Sequence, residues 1–149
     1  MELRVYVDET GIDQYLYRDR ARSIRGKKVF GKISGKKYKR TNIVAAKRGD
    51  EILDTGTTDH KFFEQWIVVM LIPLLAIGSV VIMDNASFHR KKVLKTLLED
   101  AGMKIIFLPP YSPDLNCIEK FWAWLKRHLI KVIYDFLNLS DAISACFQT

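Results

Sequence analysis

An α/β fold on a mixed five-stranded sheet, with antiparallel strands first and parallel strands later, is what this sequence predicts. Three observations carry the prediction. Short apolar runs separated by polar turns fill the first third of the chain. From about residue 60, helical periodicity alternates with short uninterrupted apolar runs. Two of the runs, VYV and VVIM, end in an aspartate, Asp8 and Asp84. Strands followed by a strand–helix alternation imply crossover connections, and hence parallel pairing in the later part of the sheet.

Residues 3–7 (LRVYV) read as the first strand, with Gly11 breaking it. Residues 14–20 and 41–47 (TNIVAAK) read as the second and third, joined through a Gly-rich basic stretch in an antiparallel meander. Asp59 can cap a helix in which Phe62, Phe63, Trp66, Val69 and Met70 recur at helical spacing, ending near Pro73. Residues 79–83 (SVVIM) suit a strand covered on both faces. A helix over 87–101 is stopped by Gly102, and a strand over 104–108 is stopped by Pro109 and Pro110. From Asn116 onward, Ile118, Phe121, Trp122, Leu125 and Leu129 mark an amphipathic helix, and a short last helix begins at Ser140.

The 149 residues fit a single domain, 1–149, and 48% hydrophobic with 28% charged residues is the composition of a globular chain with a core. A net charge of +7 fits a polyanionic partner. Cys117 and Cys146 form no CxxC pair, and no signal peptide opens the chain, so a reduced, cytoplasmic setting is expected. Residues 67–83 carry no charge, but Pro73 and Gly78 divide them and Asp84 follows at once. They read as a helix end, a turn and a buried strand rather than a membrane span.

Taken singly, each acid has an ordinary use. Asp8 and Asp84 can form turns or cap helices at strand ends, Asp114 can form an Asx turn in SPDLN, and Asn116 with Glu119 has capping-box spacing. Local sequence alone does not choose between these and chemistry. Three carboxylates at one sheet edge would suit Mg²⁺ or Mn²⁺, hard cations that prefer oxygen ligands. A pair of such ions stabilises both the attacking and the leaving oxygen of a phosphoryl displacement. The sequence has no P-loop, zinc-ligand spacing or nucleophile elbow to compete with this.

The blocks VYVDETG, VVIMDNASFH and LPPYSPDLNCIEKFWAWLK, in that order, resemble the three catalytic motifs of DDE transposases of the mariner-like superfamily, in its bacterial insertion-sequence branch. The resemblance covers nearly the whole chain. It implies a ribonuclease H-like fold, with Asp8, Asp84 and Glu119 as catalytic acids and metal ligands holding two Mg²⁺ (or Mn²⁺) ions. Residues 85 to 118, 34 in number, separate the second and third acids, the spacing characteristic of that branch. Asp114 then belongs to the turn before the helix. Cys117 stands where the family usually has proline, a departure of small consequence for the helix start. Asn85, His89 and Asn116 are expected to support the acids, whereas strand alternation sends Glu9 to the other face.

Between residues 18 and 40, eleven Lys or Arg stand against one acid, Asp19. Arg18, Arg20, Arg22, Arg25, Lys27, Lys28, Lys36, Lys37, Lys39 and Arg40 are the expected phosphate contacts. Trp122 and Trp124 are expected to pack rather than to stack on bases. The resemblance further implies cutting of transposon ends, transfer of the 3′ hydroxyl strand into target DNA at TA sites, a homodimer on DNA, and nucleoid association. The family's helix-turn-helix region is expected to be absent here and supplied by a separate or fused part. Two rivals are a non-catalytic DNA-binding remnant or partner subunit of a split transposase, and a plain nuclease of the same fold.

Overall fold

A computed structural model describes residues 3–12, 23–28, 41–57, 62–87 and 89–147. Among them five strands, β1 (Arg4–Ile12), β2 (Thr41–Arg48), β3 (Glu51–Thr57), β4 (Val80–Met83) and β5 (Lys104–Phe107), form one sheet in the order β3-β2-β1-β4-β5. β1 pairs antiparallel with β2, and β2 with β3. β4 lies parallel to β1 and β5 parallel to β4. The mixed sheet expected from the strand and helix order is present, with the parallel pairs reached by helical crossovers.

Helices cover both faces. On one, Val5, Val7, Val44, Ala46, Val81 and Met83 pack under α1 (Phe63–Trp66), its continuation and α2 (Lys91–Asp100), through Ile67, Leu71, Leu94 and Leu98. On the other, Ile12, Ile43 and Ala45 pack under α3 (Glu119–Val132) and α4 (Leu139–Phe147). β2 is buried on both sides, which explains its unbroken IVAA run.

Several expectations are corrected. Gly11 does not end β1: it pairs with Asn42 in the ladder, and the strand runs on to Ile12. The expected strand over 14–20 and the Asp59 cap lie outside the described residues. A strand was not expected over Glu51–Thr57, because Asp54 and Gly56 interrupt its apolar pattern. Both serve Trp66: its indole N–H donates to Asp54 Oδ2 at 2.9 Å, and a Cβ on Gly56 would meet the ring at 3.4 Å. The hairpin signal was nonetheless in the sequence, since Gly49-Asp50 joins β2 to β3 with Gly49 at φ 57°.

The helix after residue 61 buries Phe63 and Trp66 as its spacing suggested, but not Phe62, Val69 or Met70. Past Trp66 it widens into a π-helical turn, Ile67–Leu71, with the Ile72 N–H bonding to the Ile67 carbonyl. Phe63, Trp66, Ile67 and Leu71 are buried, whereas Phe62, Val69 and Met70 are exposed. A 3₁₀ turn, Ile72–Leu74, ends the segment at Pro73. None of the helices among the described residues is long and apolar enough to cross a membrane. α2 starts at Lys91 rather than Ser87, leaving residues 84–87, 89 and 90 outside any helix or strand. α3 starts at Glu119 rather than Asn116.

Candidate active site

The parallel register places Val7 beside Met83, so the next residues stand side by side: Asp84 just past the end of β4, and Asp8 midway along β1, which runs on to Ile12 rather than ending at the acid as expected. Alternation puts both on the α3 face of the sheet, since their odd-numbered neighbours Val5, Val7, Val81 and Met83 belong to the opposite core. Glu9 projects away from Asp8 for the same reason. Glu119 opens the first turn of α3, which crosses this face. Asp8, Asp84 and Glu119 line one open cavity of about 430 Å³, walled by Asn85 and by the loop after β5.

That loop answers the question raised by the two acids of the third block. Pro113–Leu115 form a 3₁₀ turn holding Asp114, which is exposed and does not line the cavity. The capping box suggested by Asn116 and Glu119 is not formed. Asn116 instead accepts the Ile118 N–H on its side chain at 3.2 Å, while its own N–H donates to the Pro113 carbonyl at 3.1 Å. With that amide already satisfied, the exposed Glu119 side chain has no capping duty.

Two partners hold the aspartates. Trp122 donates its indole N–H to Asp8 Oδ2 at 2.9 Å from one turn beyond Glu119. His89 Nε2 lies 3.3 Å from Asp84 Oδ1, with its ring buried against Phe63, centroids 4.7 Å apart. Thus His89 stands where a supporting role was expected, and Asn85 is bonded by the Lys91 ammonium. Trp122 was expected only to pack. Its role is legible in hindsight as the single indole one helical turn after Glu119, but the partner on β1 lies 114 residues away. Of the basic candidates, Arg25, Lys27 and Lys28 lie in an exposed turn closed by the Lys27 N–H to the Ile24 carbonyl at 3.0 Å. Arg18, Arg20, Arg22, Lys36, Lys37, Lys39 and Arg40 fall outside the described residues.

Burial pushes the Asp8 carboxyl up to about 6. The Glu9 backbone and Trp122 hydrogen bonds pull it down, and the charges of Asp84 and Glu119 raise it further. Three acids crowded in this way repel one another, and a cation between them would relieve the repulsion. The donors are all hard oxygens and the cavity is open, so residue types and placement fit a divalent ion. As placed, no three His, Cys, Asp or Glu side chains among the described residues are grouped to ligate one ion. Asp8 Oδ2 faces Trp122 and Asp84 Oδ1 faces His89, which leaves one oxygen of each carboxylate outside these contacts.

Residues 4–139 match the sequence model of a family described as DDE superfamily endonuclease. The chain belongs to the DDE superfamily endonucleases. No curated protein matches it in sequence. Among solved structures, this DDE chain is similar to the Mos1 transposase paired-end complex with left transposon end, at 15% identity and TM-score 0.67, covering 86% of this chain and 42% of that one. It is similar to the Mos1 mariner paired end complex with Mn at 13% and 0.67, covering 98% and 47%. The catalytic domain of Mos1 mariner transposase matches at 12% and 0.65, covering 99% and 68%. These identities speak for the fold, which is the ribonuclease H-like one expected from the sequence. The DDE chain spans less than half the length of the first two.

Proposed function

We propose that this chain is the catalytic domain of a metal-dependent DNA transposase. In this reading it cuts the ends of a mobile element and joins the freed 3′ hydroxyl to target DNA at TA dinucleotides. The observation that carries the reading is the meeting of Asp8, Asp84 and Glu119 on one open cavity beside a parallel strand pair, in a chain of the DDE superfamily. Membership of the bacterial insertion-sequence branch rests on the 34 residues between Asp84 and Glu119. The unit is residues 1–149 as one ribonuclease H-like domain, working in the cytoplasm on the nucleoid as a homodimer with a separate or fused helix-turn-helix part.

Asp8, Asp84 and Glu119 would hold two Mg²⁺ or Mn²⁺ ions, and the Mn in a similar paired-end complex supports that choice. When bound, such ions offset charge on the attacking and leaving oxygens of an in-line displacement at phosphorus. The chain's own part is to present the acids ionised and oriented. Trp122 and His89 fix the two aspartates from opposite layers, and Asp8 is ionised only above about pH 6. Water attacks first and the new 3′ hydroxyl second, so no side-chain nucleophile is needed. Arg25, Lys27 and Lys28, with the rest of the basic tract, would contact phosphates.

Replacing each of Asp8, Asp84 and Glu119 by Ala tests the assignment. Each variant is expected to lose Mg²⁺-dependent nicking and joining, while Asp114→Asn retains both. Undiminished cutting in all three acid variants overturns it. Cutting by the parent chain without joining favours a plain nuclease, and DNA binding without cutting favours a non-catalytic remnant.

A further inference from the structure

α3 carries more than Glu119. Its sequence, EKFWAWLKRHLIKV, holds four Lys or Arg and no acid besides Glu119. Ile118, Trp122, Leu125 and Leu129 face the core. Directly opposite, at spacings of four, three and four, Lys120, Trp124, Arg127 and Lys131 are all exposed and form one straight ridge. Among the described residues no carboxylate pairs with Lys120, Arg127 or Lys131. An amphipathic helix needs polar residues outside, but with balanced charge it would place acids among the bases. A tryptophan in the middle of the ridge is also costly to leave in water.

Trp124 is held rigidly there. It stacks on Phe121 a turn before it and on His128 a turn after it, at centroid distances of 5.9 and 5.2 Å. With a ring on either side along the helix, Trp124 is still partly exposed. Arg127 donates its Nε–H to the Ala123 carbonyl at 3.2 Å, which anchors its exposed side chain along the helix. Exposed cations in a row, with no carboxylate pairing with them among the described residues, suit a line of phosphate oxygens rather than bases. Eleven residues of rise place Lys131 about 16 Å beyond Lys120, and the ridge starts next to the cavity residue Glu119.

We propose that the outer face of α3, formed by Lys120, Trp124, Arg127 and Lys131, is a phosphate-contacting ridge along which a DNA duplex runs away from the cavity. The inference rests on the transposase reading and adds residues of α3 to the phosphate contacts expected from the basic tract over 18–40.

The test is a salt titration of binding, by fluorescence anisotropy, to a fluorescein-labelled DNA duplex three helical turns long. Three Gln substitutions at Lys120, Arg127 and Lys131 are compared with three at Lys92, Lys95 and Lys104, exposed lysines on α2 and β5 that lower the net charge equally. Loss of three phosphate contacts is expected to reduce the slope of log K against log salt by about 2.7, with affinity down at least tenfold at low salt and the control set near the parent. The exchange K120R/R127K/K131R is expected to bind like the parent, and Trp124→Phe to reduce DNA-induced quenching of tryptophan emission. If the parent binds DNA and the ridge variant matches it, or the control set falls equally, the ridge is overturned while the transposase reading stands. If the parent binds no DNA, both fall.

Discussion

Asp8 is held in the fold at a cost to stability. Its carboxyl ionises at about 6 in the folded protein against 3.8 ordinarily, so the folded state prefers it protonated. The stabilisation from that preference is fully present below 3.8 and is lost as pH rises through about 6. On the order of 3 kcal/mol separates the two extremes. Asp8→Asn removes the charge yet keeps an oxygen for the Trp122 N–H. Its melting temperature is expected to exceed the parent's by several degrees near neutral pH, the gain shrinking to nothing in acid, and thermal melts across a pH series check both signs. Gain of stability with loss of cutting would identify the acid as kept for chemistry. None of this was legible at the residue itself. The sequence offered Asp8 as a strand-end acid, and its burial and its indole partner come from a helix more than a hundred residues later.

At the scale of elements, boundaries set the site more than interiors do. α2 ends in a Schellman motif: the Met103 N–H bonds to the Leu98 carbonyl at 2.9 Å and the Gly102 N–H to that of Glu99 at 3.0 Å. Gly102 stands at φ 86°, and a Cβ there would lie 3.2 Å from Ile77. Its carbonyl accepts the Gly78 N–H at 2.9 Å, tying the entry of β5 to that of β4. Gly102→Ala is therefore expected to cost about 1 to 2 kcal/mol from the left-handed backbone, seen as a lower denaturation midpoint with cutting retained at low temperature. The stop at Gly102 was readable because a glycine after a periodic run is a strong local signal. The π-helical turn was not, because a widened turn leaves no mark on apolar spacing. Nor was the start of α3, where Asn116 signalled a cap and used its side chain for a tighter turn instead.

For the whole molecule, the sheet order makes one site of three distant segments. Linkage follows: an ion that binds only the folded, ionised cluster should stabilise the chain, and chelation should reverse this. Mg²⁺ is expected to raise the melting temperature above about pH 6, to raise it less in acid as Asp8 is protonated, and to leave the Asp84→Ala variant unmoved, as scanning calorimetry can measure. The sequence by itself determined the mixed α/β order, the aspartates that follow the apolar runs VYV and VVIM, and the spacing to Glu119, because periodicity and motif order are properties of neighbours along the chain. Only the tertiary structure decided that Asp8 and Asp84 stand on one face, that Trp122 and His89 hold them, and that β3 seats Trp66. Those are contacts between segments far apart in sequence, fixed by parallel register and helix packing rather than by any local preference.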